Sequence, residues 1–548
     1  MPQNSFTLAD DQFNLAGASA RLRAQELEAW IETLPLADVG ETHHRVVSAL
    51  SKLNDSELSG QERFEALELF RRPIRYLYDA TRNHFLGKAF PLTPRARGVA
   101  AQLFDLNSEM AKGYQSISDE LLDLNTLRQD FTMLAASLQR TLYYLGQDLL
   151  TGYLVYESCS AGCWRRIHLI YDTAERKGVH ASTVKDPYGR INQETTVEDQ
   201  YKQLLLLALA NPYRYSHAEM NWIYTSLEQW TPLCHLHSAD SLDELQFACL
   251  VDLANDAGPC YIAYSTAPHP ATCRFLNTST LVQSLRNSIA GYPSGFSKQT
   301  TESGPAQTSA NGRTLLPSLT KSWALTSKRK YSRMQPDAKN IEISLSLSAV
   351  HRLIDNLDSR QGGDDGDAPP RPTVVHMGRL TSTSLDGGGP YLCEVIDESA
   401  NGSRLRWQNA NKGKIHVGEL VAIRRSDESA EMPGIAVIRW LKITNNHTVE
   451  FGIQMLSPDA FPITIRHYDG ENQEAGHDYL KGLYVPEFKT TSQPASLLLP
   501  AFLYHTDDII SLVMDHQEHR VKLIKAVETT PGFSRFLFSS MPAPQDRH

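Results

Sequence analysis

Two short constellations in this chain have residue types and spacing suited to holding an anionic or polar ligand. The first is Asp397-Glu398-Ser399-Ala400-Asn401-Gly402. Asp and Ser are short side chains that bond nearby backbone, and Asn and Gly accept positive φ. Such a turn directs an acceptor, a hydroxyl and bare backbone at one place. The second is Arg329-Lys330-Tyr331-Ser332-Arg333, within a stretch from Lys321 to Arg333 that carries five basic residues and no acid. The chain as a whole is acidic, with a formal net charge of -10 and a pI of about 6.0. It is therefore no general polyanion binder, and a concentration of positive charge in it is either a local anion site or a solvated basic loop.

The elements that must position these residues read mainly as strands. Tyr391–Ile396 runs into the turn and Ser403–Trp407 leaves it, both with strand character, so the turn joins two strands. Ile341–Leu345 alternates as a half-buried strand should. Val417–Arg424, Gly434–Ile443 and Val449–Leu456 follow at short, turn-rich intervals, which predicts antiparallel neighbours closing into a barrel or half-barrel. Further strands are expected at Ser496–Tyr504, Ile509–Met514, Val521–Val527 and Phe533–Phe538.

The Arg-x-x-x-Arg arm and the Asp-x-Ser-x-x-Gly turn, followed by barrel strands in that order, resemble the PilZ domain, a bacterial module that binds cyclic di-GMP. Phe451-Gly452-Ile453-Gln454-Met455 is similar to that family's closing strand, and the likeness spans about residues 321–456. It implies a ligand site of Arg329, Arg333, Asp397, Ser399 and Gly402, with Lys328 and Lys330 as secondary candidates. Arg presents a planar fork suited to phosphate and to the guanine O6/N7 edge. Asp397 can accept from guanine N–H groups or pin an arginine, Ser399 can donate to phosphate, and Gly402 lets backbone approach closely. Trp323 is either a further contact or a core anchor. One departure stands out: 64 positions separate Arg333 from Asp397, more than the family usually has. The polar stretch Asp358–Pro372 and a helix over Val350–Leu357 are expected to absorb the excess.

The rest of the chain is expected to be multidomain α+β. Residues 1–180 read as a helical domain, 181–295 as mixed α/β, 296–320 as a flexible linker, 321–460 as the PilZ-like antiparallel barrel, and 461–548 as an extra C-terminal β-module. A heptad pattern from Ser116 to Leu150 predicts the central helix of a bundle, or a coiled coil that would make a homodimer. The seven scattered cysteines and the absence of a basic, apolar start predict a reduced, cytoplasmic protein. No apolar run reaches the roughly 18 residues of a membrane span. Cys159/Cys163 and Cys234-His235-Leu236-His237 lack a second ligand pair, so no metal is expected. No phosphate-binding loop, dinucleotide fingerprint, zinc-protease motif or nucleophile elbow is present. The function expected is that of a non-enzymatic cyclic di-GMP effector without cofactor, relaying to the helical region or to a protein partner and binding no nucleic acid polymer. The alternative is a PilZ-like interaction scaffold that binds no nucleotide.

Overall fold

The computed structural model describes residues 7–8, 13–14, 20–124, 130–189, 191–238, 248–261, 271–290, 310–324, 333–336, 339–361, 390–399, 401–408, 410, 413–425, 432–445, 448–467, 479–487, 493–514 and 517–541. The chain divides into two compact units: Met1–Lys88 with Leu92–Lys328, and Ala89–Pro91 with Arg329–His548.

The first unit is mostly helical. After the small strands β1 (Thr7–Leu8) and β2 (Phe13–Asn14) come α1 (Ala20–Glu32), α2 (Val39–Asn54), α3 (Gly60–Arg82), α4 (Pro94–Asp123), α5 (Phe131–Leu154) and α6 (Cys163–Arg176). The starts are locally encoded. Ser59 and Glu62 form a reciprocal capping box on α3, Thr93 caps α4 ahead of Pro94, and Asp130 accepts from the amides of Thr132 and Met133 at the start of α5. The heptad pattern therefore does not run through one helix. Leu124 turns extended, and the seam is divided between α4 (Ile117, Leu121) and α5 (Leu138, Leu142, Leu145, Leu149), which pack against each other. α5 is buried on nearly every side, as the centre of a bundle must be.

At the middle of α5 the buried Arg140 donates to Glu68 at 3.0 Å and to Asp186 at 3.2 Å, and Arg71 donates to Asp186 at 2.6 Å. Beside this network is a cavity of about 130 Å³, lined among others by Tyr78, Arg82, Gln147 and Tyr224. β3 (Val184–Lys185) and β4 (Glu194–Thr195) pair before α7 (Val197–Leu209) and α8 (His217–Trp230). β5 (His235–Ser238), β6 (Ala248–Asp252), β7 (Cys260–Tyr261) and β8 (Cys273–Asn277) then form an antiparallel sheet in the order β5-β8-β6-β7. α9 (Ser279–Ala290) and α10 (Ala310–Trp323) complete the unit. α10 occupies the second half of the stretch whose composition reads as linker. Its Leu315, Leu316, Leu319 and Trp323 are buried, and these apolar anchors outweigh the surrounding Gly, Ser and Pro.

The second unit is two closed antiparallel barrels of six strands each. The first holds β9 (Asn340–Leu345), β10 (Tyr391–Ser399), β11 (Gly402–Trp407), β12 (Leu420–Arg425), β13 (Gly434–Asn445) and β14 (Thr448–Ser457), ordered β10-β11-β14-β13-β12-β9. β12, β13 and β14 are a meander, and β9 closes the barrel between β10 and β12. The second holds β15 (Phe461–His467), β16 (Leu480–Val485), β17 (Ser496–Leu499), β18 (Ile509–Met514), β19 (Gln517–Thr529) and β20 (Ser534–Ser540), ordered β15-β16-β17-β20-β19-β18. The expected β-module is thus a full barrel.

α11 (Leu347–Gln361) leaves the first barrel after β9. Its Leu347, Val350 and Ile354 enter one apolar cluster with Leu420, Ile435 and Val437 of the first barrel and Leu483, Val485 and Leu498 of the second. A second cluster, with Ile465, Leu497, Ile510 and Leu523, fills the second barrel itself.

Candidate ligand-binding site

The Asp-x-Ser-x-x-Gly turn is the hairpin between β10 and β11. Ser399 pairs with Gly402 in register, so two residues make the loop. Ser399 Oγ donates to the Gly402 carbonyl at 3.0 Å, and the amide of Met455 on β14 donates to the Asn401 carbonyl at 3.1 Å. Gly402 has φ +154°, and a Cβ built there would lie 2.0 Å from the Ile453 carbonyl oxygen. No other residue fits without opening the hairpin from β14.

Register places the motif on one face. Opposed residues of neighbouring antiparallel strands share a face, as do residues two apart along a strand. Ser399, Gly402 and Gln454 form one row across β10, β11 and β14. Asp397, Arg404, Gly452 and Trp440 form the next, and Glu394, Arg406, Glu450 and Lys442 the third. Leu405 and Phe451, between these rows, are fully buried. The motif face is therefore the outer face of the barrel. A register shift between Val395 and Asp397 marks a bulge just before the motif acid, a device that re-aims side chains.

The arm meets this face. Arg333 Nη1 donates to Asp397 Oδ2 in an ion pair whose side chains are 37% and 21% exposed. The next residue pairs with the motif strand: Met334 N donates to Glu398 O at 2.9 Å, and Glu398 N to Met334 O at 3.3 Å. The structure thus brings Arg333 together with Asp397, Ser399 and Gly402 despite the long spacing. The intervening chain leaves the barrel through α11, which packs elsewhere, so it does not separate the two motifs. Arg329, Lys328 and Lys330 lie outside the described residues. Trp323 is a core anchor of the first unit, fully buried, donating to the Leu206 carbonyl at 3.1 Å and packed edge-on against Trp230 at 5.4 Å.

Sequence reasoning missed five polar neighbours. Arg404 and Arg406 both donate to Glu450, Arg406 Nη2 at 2.9 Å. Burial opposes ionisation of Glu450, yet the two guanidiniums override it and hold that carboxyl below its usual range. Arg439 Nε donates to Gln454 Oε1 at 2.7 Å. The available signal was the alternation Gly402, Arg404, Arg406, which puts both arginines on the face of the motif glycine. Nothing local marks Arg439, because a bulge shifts its phase. Trp440 lies across Gly452, where a Cβ would sit 1.9 Å from the indole nitrogen, so that glycine is a seat for the ring. Among the described residues no three metal-type side chains converge.

Three family models cover this chain in order. Residues 25–241 match the model described as the cyclic-di-GMP receptor FimW, N-terminal domain. Residues 248–359 and 382–462 match the middle PilZ domain of that receptor, and residues 465–541 match the FimW C-terminal beta-barrel domain. The unmatched gap, residues 360–381, begins at the last turn of α11 and lies within the excess spacing between the motifs. The cyclic-di-GMP receptor FimW of Pseudomonas aeruginosa is 23% identical over 560 residues, covering 94% of this chain and 90% of that protein. No solved structure matches.

Proposed function

The chain belongs to the PilZ-domain family through its middle segment, and from that premise we propose that it is a non-catalytic effector of cyclic di-GMP. The observation that carries this reading is the meeting of Arg333 with Asp397 on the strand that ends in the Ser399–Gly402 hairpin. Cyclic di-GMP has two phosphates and two guanines. A guanidinium fork that exchanges a carboxylate for a phosphate keeps its charge-assisted bonds, and Asp397 is then released to accept from a guanine. Ser399 can trade the Gly402 carbonyl for a phosphate oxygen. Arg329, four residues upstream on the arm, supplies the second fork, with Lys328 and Lys330 adding positive charge. The ordered arm is the switch that a helical region or a partner protein reads. No helix among the described residues is long and apolar enough to cross a membrane.

One observation favours the scaffold alternative: Arg333 and Asp397 already neutralise each other, so the arm can stay docked as a fixed interaction surface. Calorimetric titration of the full chain with cyclic di-GMP separates the two. Micromolar or tighter binding is expected, and its absence would leave the scaffold reading.

A further inference from the structure

We propose that Gln454 is a further ligand-contacting residue of this site, oriented by Arg439 and through it by Glu528 of the second barrel. The inference rests on the cyclic di-GMP reading above.

Gln454 stands directly opposite Gly402 and in one row with Ser399, so its side chain shares the outer face with the motif. Its amide is not free to turn. Arg439 is the extra residue of a bulge on β13, between the pairs Ile438–Ile453 and Trp440–Gly452, and the bulge swings its guanidinium over β14. Nε of Arg439 donates to Gln454 Oε1 at 2.7 Å. With the oxygen engaged, the NH2 is the end presented to a ligand, and it suits a phosphate oxygen or the O6/N7 acceptors of guanine.

The other edge of the Arg439 guanidinium is committed to the second barrel. Both of its terminal nitrogens pair with the carboxylate of Glu528 on β19, Nη2 at 3.1 Å and Nη1 as an ion pair. Glu528 in turn opposes Arg535 of β20. Two side chains therefore connect the ligand turn to the second barrel. If β19 draws Arg439 away, the Gln454 amide loses its fixed orientation, so affinity at the turn depends on how the second barrel is seated. Gln454 is the contact; Arg439 and Glu528 are positioning residues.

The test titrates cyclic di-GMP into the full chain and into Gln454→Ala, Arg439→Lys, Glu528→Gln and the double variant Gln454→Ala/Glu528→Gln, each checked for native circular dichroism. Gln454→Ala is expected to weaken binding by roughly three- to tenfold, and Glu528→Gln by a smaller factor of about two to four. The decisive result is the double variant, which should bind no more weakly than Gln454→Ala, since an orienting residue has nothing left to orient. Arg439→Lys should resemble Glu528→Gln, because a lysine cannot span both partners. Wild-type affinity in Gln454→Ala overturns the proposal, and so does a Glu528→Gln loss that adds in full to that of Gln454→Ala. Failure of the wild-type chain to bind is a different result: it refutes the cyclic di-GMP reading and this inference with it.

Discussion

Among single residues, Gly402 and Arg333 carry the most specific expectations. A methyl group at Gly402 must displace the Ile453 carbonyl from a backbone that cannot yield locally. Gly402→Ala should destabilise the double barrel by about 2–4 kcal/mol, by opening the β11–β14 pairing and straining the backbone. A melting curve reads this, and an unchanged midpoint would contradict the hairpin geometry. Arg333→Ala should barely alter stability, because the ion pair with Asp397 is part-exposed and worth about 0–1 kcal/mol. It should nevertheless cost at least about tenfold in cyclic di-GMP affinity, since a charge-assisted contact contributes about 1.5–3 kcal/mol. A third residue lies far from the motif. Asp148 on α5 accepts from Asn107 at 2.8 Å, and burial pushes its carboxyl up from 3.8 to about 7. Between those values the folded chain holds a proton that the unfolded chain has released, so stability falls as pH rises through that window and levels off above it. Asp148→Asn should remove this slope. Its advantage over the wild type should grow from about pH 4 to 7 and reach roughly 1–3 kcal/mol by pH 8. Denaturant titrations at pH 4, 6 and 8 test this, and a difference that does not change with pH would refute it.

At the level of elements, what could be read from sequence was whatever local periodicity and turn chemistry encode. Ile341–Leu345 alternates and became β9; the runs ending at Ile443 and Leu456 became β13 and β14; the turn-forming motif became the β10–β11 hairpin, with Ser399 opposite Gly402. The heptad over Ser116–Leu150 misled because a period of seven cannot tell one long helix from two that pack on each other, and only the Asp130 cap marked the second start. Linker composition over 296–320 hid α10, whose anchors are few but fully buried. At the candidate site the motif residues were legible, whereas Arg439 was not: a bulge inverts the inside–outside phase, and no pattern of period two announces it. α11 illustrates an element whose existence was readable and whose role was not. It bridges the two barrels through Val350 and Ile354, both fully buried. Ile354→Ala should cost about 2–5 kcal/mol, the range for emptying a packed site. Because the cavity borders both barrels, hydrogen exchange should rise in β12 and β13 and in β16 and β17 together. Faster exchange confined to one barrel would show that α11 belongs to that barrel alone.

For the molecule as a whole, the decisive feature is that the barrels of the second unit share a core. Leu420, Ile435 and Val437 of the first barrel and Leu483, Val485 and Leu498 of the second are no more than 1% exposed, and all belong to one cluster. Apolar surface of that extent, uncovered, promotes aggregation and removes the burial that offsets chain entropy. The PilZ barrel of this chain should accordingly not be autonomous, even though its six strands close on themselves. A chain ending at residue 460 should express as aggregate or as a loosened barrel with melting lowered by many degrees. Glutamine or serine substitutions at Leu420 and Val437 in that shortened chain should recover solubility without restoring full affinity for cyclic di-GMP. The intact second unit should instead unfold in one calorimetric transition, with Trp407 and Trp440 fluorescence following the same curve as circular dichroism of all twelve strands. If the shortened chain stays soluble, melts as the intact unit does and binds ligand equally well, the shared core contributes little. The second barrel would then be an appended module that the ligand turn does not sense.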